Sequence, residues 1–240
     1  SINSLIDLLD IDETAETACK ALSHNILIYE AHQSVLEKST HNAYAKKIID
    51  SWASAEWFTS KTPLSETIKV VVFRVDGETN TDDLSPATEA WSRPDIPLHA
   101  QSMLAKKMDK PLKTIEKLKE KGLPLAYVGD VVGTGSSRKS AINSVLWHMG
   151  ESIDYIPNKN TGGVILGGKI APIFFNTAED SGALPIECDV SKLKMGDEIT
   201  IHPFKGIITN SSGETISTFE LKPSTMPDEV RAGGRIPLII

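Results

Sequence analysis

The sequence predicts an α+β protein: an α-helical segment over residues 1–61, then a strand-rich β/β/α domain over 62–240. Three observations carry this. Apolar residues recur at helical spacing up to the aromatic pair Trp57 and Phe58. Past Thr62-Pro63 the apolar runs become short, β-branched and punctuated by glycine. Between Val128 and Ser140 a glycine-rich stretch joins one such run to a further helical stripe.

In the first segment Ile2, Leu5, Ile6 and Leu9 form one stripe. Ala15, Ala18, Cys19 and Leu22 form a second, with Asp12 as its N-cap, and Tyr44, Ile48, Trp52 and Ala55 a third. Stripes of this width are the core-facing sides of helices, and aromatic residues within them read as core. Short helices with small polar breaks suggest paired helices of a solenoid.

Residues 68–75 read as a buried strand. They run into Asn80-Thr81-Asp82-Asp83-Leu84-Ser85-Pro86, where an Asx-type turn or a helix cap is expected, with Pro86 suited to the first position of a short helix. A helix over 98–107, a basic amphipathic helix over 112–121 and a short strand over 124–128 follow. Ile142, Val145, Leu146 and Met149 then mark a helix starting near Ser137. Strands are expected at 153–156, 163–166, 171–175, 184–188, 198–201 and 215–221. A short helix is expected at 177–181, a hairpin tip at 211–214 and a last helical turn at 228–232.

With 25 basic and 32 acidic residues the formal charge is −7, which argues against nucleic-acid binding through a broad basic face. No apolar run approaches the roughly 20 residues that span a bilayer, and no secretory leader opens the chain. Cys19 and Cys188 lie far apart and form no metal or redox motif, so a reducing, cytoplasmic setting is expected. The start at Ser1 and the apolar run 236–240 read as cut ends, the expectation being a piece of a longer protein.

The chemistry is expected at Gly133-Thr134-Gly135-Ser136-Ser137-Arg138. Glycines permit a sharp turn and close approach of a ligand. The helix start that follows presents unpaired N–H groups to an anion, phosphate or carboxylate. Arg138 adds a fork of donors. The plainer alternative is a capped strand-to-helix turn with a solvated arginine.

Taken together, T-N-T-D-D-L-S-P-A, W-S-R-P-D-I-P-L-H-A, A-Y-V-G-D-V-V-G-T-G-S-S-R-K-S, G-G-K-I-A-P-I-F-F-N and R-A-G-G-R-I-P-L-I-I resemble the swivel domain of aconitases of the bacterial B type. The match covers residues 50–240, and the helices before it resemble the end of that type's HEAT-like domain. The resemblance implies a HEAT-like segment followed by a swivelling β/β/α domain. It implies a tricarboxylic acid cycle hydro-lyase that interconverts citrate and isocitrate through cis-aconitate, with 2-methylisocitrate as a further candidate substrate. It implies a [4Fe–4S] cluster bound by cysteines outside this chain and no metal within it, so that the chain alone is expected to be inactive. By motif position Ser136 resembles the catalytic base and Asp82 a catalytic aspartate. Ser137, Arg138, Arg93 and Gly135 resemble substrate-binding positions. Lys139 and Asp83 depart from the glutamate and histidine of related isomerases. The implied partners are the cluster-bearing domains of the same protein, a second copy through the helical region, and messenger RNA for the cluster-free form. Alternatives are a small subunit of an isopropylmalate isomerase-type hydro-lyase, or an interaction module.

Overall fold

A computed structural model describes residues 1–25, 28–136, 138–153 and 156–239. The chain divides into two compact units, Ser1–Pro63 and Leu64–Leu238, with the terminal Ile239 grouped with the first, so that α12 belongs to the second unit only up to Leu238.

The first unit is helical: α1 (Ile2–Asp7), α2 (Asp12–Ser23), α3 (Ile28–Lys38), α4 (Ala43–Ala53) and α5 (Glu56–Thr59). Its core gathers Leu22, Val35, Ile48 and Trp52 from the inward stripes of these helices, with Leu9 from the turn between α1 and α2. Asn42 caps α4, its side-chain oxygen accepting from the N–H groups of Tyr44 and Ala45. Its amide nitrogen donates to Leu9 O. Trp52 Nε1 donates to Leu22 O at 3.0 Å and ties α4 to α2. Asp12 is not the cap expected of it: it is the first helical residue of α2, and Ile11 holds the N-cap position.

The second unit comprises β1 (Ile68–Asn80), α6 (Thr81–Leu84), α7 (Ile96–Ala100), α8 (Pro111–Lys119), β2 (Leu125–Thr134), α9 (Lys139–Met149), β3 (Glu151–Ile153), β4 (Ile156–Thr161), β5 (Val164–Ile170), α10 (Pro172–Asp180), β6 (Leu184–Glu187), β7 (Glu198–His202), β8 (Ile207–Asn210), β9 (Thr215–Thr218), α11 (Met226–Ala232) and α12 (Arg235–Ile239). Seven strands form one mixed sheet in the order β6-β5-β2-β1-β7-β8-β9, and β3 pairs with β4. The strands β6, β5, β2 and β1 run parallel, and β7, β8 and β9 continue antiparallel.

Both faces of the parallel half are covered, so the middle of β1 is a continuous apolar run rather than an alternating one; Val70, Val71, Val72 and Phe73 are all fully buried. Val71, Phe73, Tyr127 and Ile165 pack with Ile115, Val145, Leu146 and Phe174 of the helices. Val70, Val72, Val128 and Leu166 pack on the opposite face with Leu193, Ile208 and Met226. No described helix is long and apolar enough to cross a membrane.

Several expectations are corrected. β1 and β2 run on to Asn80 and Thr134, past the points where glycine suggested a turn. Residues 171–175 form no strand; they open α10, with Pro172 in its first turn, where a missing N–H costs nothing. Phe174 and Ala178, one helical turn apart, face the core. Lys205-Gly206 is the turn between β7 and β8, so residues 207–210 form an additional strand. The expected helix over 98–107 is only the short α7, and α9 begins at Lys139 with Arg138 as its N-cap residue. Residues 236–239 of the apolar run at the end of the chain lie in α12. Within the expected strand 153–156, residues 154 and 155 lie outside the described ones.

Candidate functional site

β1 and β2 are neighbours in the parallel half and end together, Asn80 beside Thr134. From that shared edge one chain turns into α6 and the other into α9. In open sheets with parallel strands, ligands bind outside such carboxyl ends.

The α6 turn is fixed by a reciprocal cap. Asn80 Oδ1 accepts from Asp83 N at 2.8 Å, and Asp83 Oδ2 accepts from Asn80 N at 3.0 Å. Asp83 is therefore a structural cap, a role its sequence position left open. Asp82 is free to reach sideways. Its Oδ1 accepts from Ala87 N at 2.9 Å and from Arg138 Nη1 at 2.5 Å. The Arg138 hydrogen bond, followed by that of the Ala87 N–H, holds the Asp82 carboxyl below its ordinary range, against an opposing push from burial. The same Arg138 nitrogen donates to Ser85 O at 3.2 Å.

Two glycines bring the second strand end to this point. Gly133 has φ +78°, and a Cβ there would stand 2.1 Å from Phe174 Cγ. Gly135 has φ +91°, and a Cβ there would come within 3.4 Å of Thr81 Oγ1. Ser136 follows, exposed, its carbonyl accepting from Arg138 N at 2.9 Å. Ser137 lies outside the described residues. Lys139 is exposed at the start of α9.

Asp82, Gly135, Ser136 and Arg138 are thus brought to one edge of the sheet. Arg93 is engaged elsewhere: its Nε donates to Glu89 Oε2 at 3.0 Å and its Nη1 to Leu98 O at 3.4 Å. Sequence reasoning passed over Ser85 and His99. Ser85 is buried, and its Oγ lies 3.0 Å from His99 Nε2. Ser85 stands in the same T-N-T-D-D-L-S-P-A run as the candidate aspartate, but a buried serine is not distinguishable there from a turn residue. A groove of about 520 Å³, lined by Ile68, Leu125, Val164 and Leu184 among others, opens at the other ends of the parallel strands and takes no part in this cluster.

The arrangement offers an anion a guanidinium, the N–H groups of a helix start and a hydroxyl, with a carboxylate holding the guanidinium in place. It does not suit an iron–sulfur cluster, which needs several thiolates. The cysteines, Cys19 and Cys188, are both buried and lie in different units. Burial pushes the Cys188 thiol up to about 11. Among the described residues no group of three histidine, cysteine, aspartate or glutamate side chains is arranged to hold a metal ion.

Residues 70–240 match the family model of the aconitate hydratase 2 N-terminus. The chain belongs to this aconitase family. Residues 1–58 match a second model, the aconitate B N-terminal domain. Over its whole length the chain is 64% identical to aconitate hydratase B of Synechocystis sp., 60% to that of Salmonella typhimurium and 59% to that of Escherichia coli. It spans only 28–29% of the length of these aconitases. In fold it is similar to a 3-isopropylmalate dehydratase of Methanocaldococcus jannaschii, with a TM-score of 0.55 at 22% identity, covering 72% of this chain and 93% of that one. The aconitase assignment thus rests on sequence, and the structural likeness adds the fold.

Proposed function

We propose that residues 62–240 are the swivelling, substrate-gripping lobe of a longer hydro-lyase that interconverts citrate and isocitrate through cis-aconitate. Residues 1–61 are read as the end of a HEAT-like domain. The observation that carries this is the meeting of Arg138 and Asp82 beside Gly135 and Ser136 at the paired ends of β1 and β2.

In this reading Arg138 and the N–H groups at the start of α9 bind a substrate carboxylate. Asp82 holds Nη1 of the guanidinium, so the fork meets the ligand in one orientation and little freedom is lost on binding. Ser136 Oγ, as alkoxide, takes the proton from the substrate carbon adjacent to a carboxylate. The C–H electron pair stays on that carbon and the proton ends on Oγ. A serine is a weak base unless its anion is stabilised, and the helix start together with Arg138 supplies positive potential for this. An exposed lobe cannot exclude water from such an alkoxide by itself, so closure against a second domain belongs to the proposal. The cysteines here do not fit an iron–sulfur cluster, and any cluster is assigned to residues outside this chain.

Titrating the chain with citrate while following amide and guanidinium N–H signals by NMR tests the grip. The expected result is a set of shifts centred on Gly135, Arg138 and Lys139 that Arg138→Leu abolishes. Shifts confined to other parts of the surface would overturn it.

A further inference from the structure

The Arg138–Asp82 pair rests on a short segment, residues 85–87, that belongs to no strand. Ser85 O accepts from Arg138 Nη1, and Ala87 N donates to Asp82 Oδ1. A small displacement of this segment would therefore move an acceptor of the guanidinium and a donor to its carboxylate together.

One imidazole holds the segment from behind. His99 Nε2 lies 3.0 Å from Ser85 Oγ and 3.2 Å from Pro86 O. A carbonyl oxygen only accepts, so contact with Pro86 requires a hydrogen on Nε2. That hydrogen is then shared between Pro86 O and the serine oxygen. His99 is itself anchored. It sits on α7, where Asp95 Oδ1 caps Leu98 N at 2.8 Å and Ser102 Oγ donates to His99 O at 2.6 Å. Ser85 is 1% exposed, so water does not readily replace the imidazole, and a lost partner there goes uncompensated.

We infer that His99 is a positioning residue, bracing Ser85 and Pro86 so that Asp82 and Arg138 are aligned before a carboxylate ligand arrives. The inference rests on the reading of Arg138 as the carboxylate grip. It assigns His99 no contact with the ligand. An imidazole that merely filled space would be replaceable by an apolar side chain of similar size without effect on the pair.

The test uses the chain itself, with carbon-13 titration of the Asp82 carboxyl and citrate as the probe ligand. In the wild type the Asp82 carboxyl is expected to titrate below its ordinary range, held there first by the Arg138 hydrogen bond. His99→Leu is expected to move that titration up towards 3.8 and to weaken citrate about tenfold, the effect of one lost hydrogen bond to a buried group. His99→Gln, which keeps an N–H donor, is expected to restore both. An unchanged Asp82 titration in folded His99→Leu would overturn the inference. Where His99→Leu does not fold, Ser85→Ala takes its place: it removes the buried oxygen, keeps the carbonyl, and is expected to shift Asp82 in the same direction, with no shift overturning the inference. Arg138→Leu separates the two readings. If it leaves citrate affinity unaltered, the carboxylate grip fails, while the bracing role is still decided by the Asp82 titration.

Discussion

The ring of Phe174 occupies the space where Gly133 would carry a side chain, with Phe174 Cγ 2.1 Å from the ideal Cβ position. This close approach seats α10 against the last residues of β2, just before the chain delivers Gly135 and Ser136. Gly133→Ala would meet the ring and also place a Cβ on a backbone with φ +78°. The combined strain and overpacking are expected to cost about 2–4 kcal/mol. Denaturant unfolding checks this, and a loss below about 0.5 kcal/mol, the range of an ordinary surface substitution, contradicts it.

Tyr127 is fully buried, and among the described residues neither its hydroxyl nor Thr79 Oγ1 makes a well-formed hydrogen bond, although the Thr79 hydroxyl is near enough to pull the phenol down a little against burial. Burial pushes the phenol far above its ordinary range. Removing an unpaired buried hydroxyl removes its desolvation cost, so Tyr127→Phe is expected to be neutral or stabilising by up to about 1 kcal/mol. A thermal melt lowered by several degrees contradicts this.

Glu179 is buried at the junction of α10 with α11 and α12. Its carboxyl is raised first by burial and then by the charge of Glu229, with Arg235 opposing and Asp180 adding to the rise. A raised folded pKa means the folded state holds the proton more tightly than the unfolded chain. The associated stability is complete below the ordinary carboxylate value and is lost as pH rises through the folded value. Glu179→Gln is therefore expected to gain stability relative to wild type as pH rises from below the ordinary carboxylate range to neutrality and above. A difference that stays flat across that range contradicts the assignment.

The cysteines bear on the cofactor. With iron and sulfide under reducing conditions the chain is expected to stay free of cluster absorbance and to show no aconitase activity. Cys188→Ser is expected to change neither result, because a buried thiol raised to about 11 is protonated at neutral pH. Aconitase activity from the reconstituted chain contradicts this.

The sequence made the site more legible than the fold around it. Asp82, Gly135, Ser136 and Arg138 are marked by the resemblance of the five motifs taken together, since the glycine turn alone suits a capped strand-to-helix turn equally; the fold adds that the two strand ends meet. The extent of β2 was hidden by Gly129 and Gly133, which read as turn residues. They are strand positions where Val132 and Phe174 come too close for a side chain. α10 was hidden by Ile173-Phe174-Phe175, an apolar run that suits a strand and a buried helix equally over so few residues. Arg93 shows the opposite limit. The resemblance gives it a substrate-binding position, while in this structure it pairs with Glu89, four residues earlier.

The role proposed for Ser136 is that of the base in a carboxylate-gripping lobe. It is tested most directly by the steady-state kinetics of Ser136→Ala in the full-length protein that carries this chain. kcat is expected to fall roughly 10²–10⁴-fold, the usual worth of a positioned base, with KM for citrate changed little. A kcat within about twofold of wild type, equivalent to less than 0.5 kcal/mol of barrier, would contradict it.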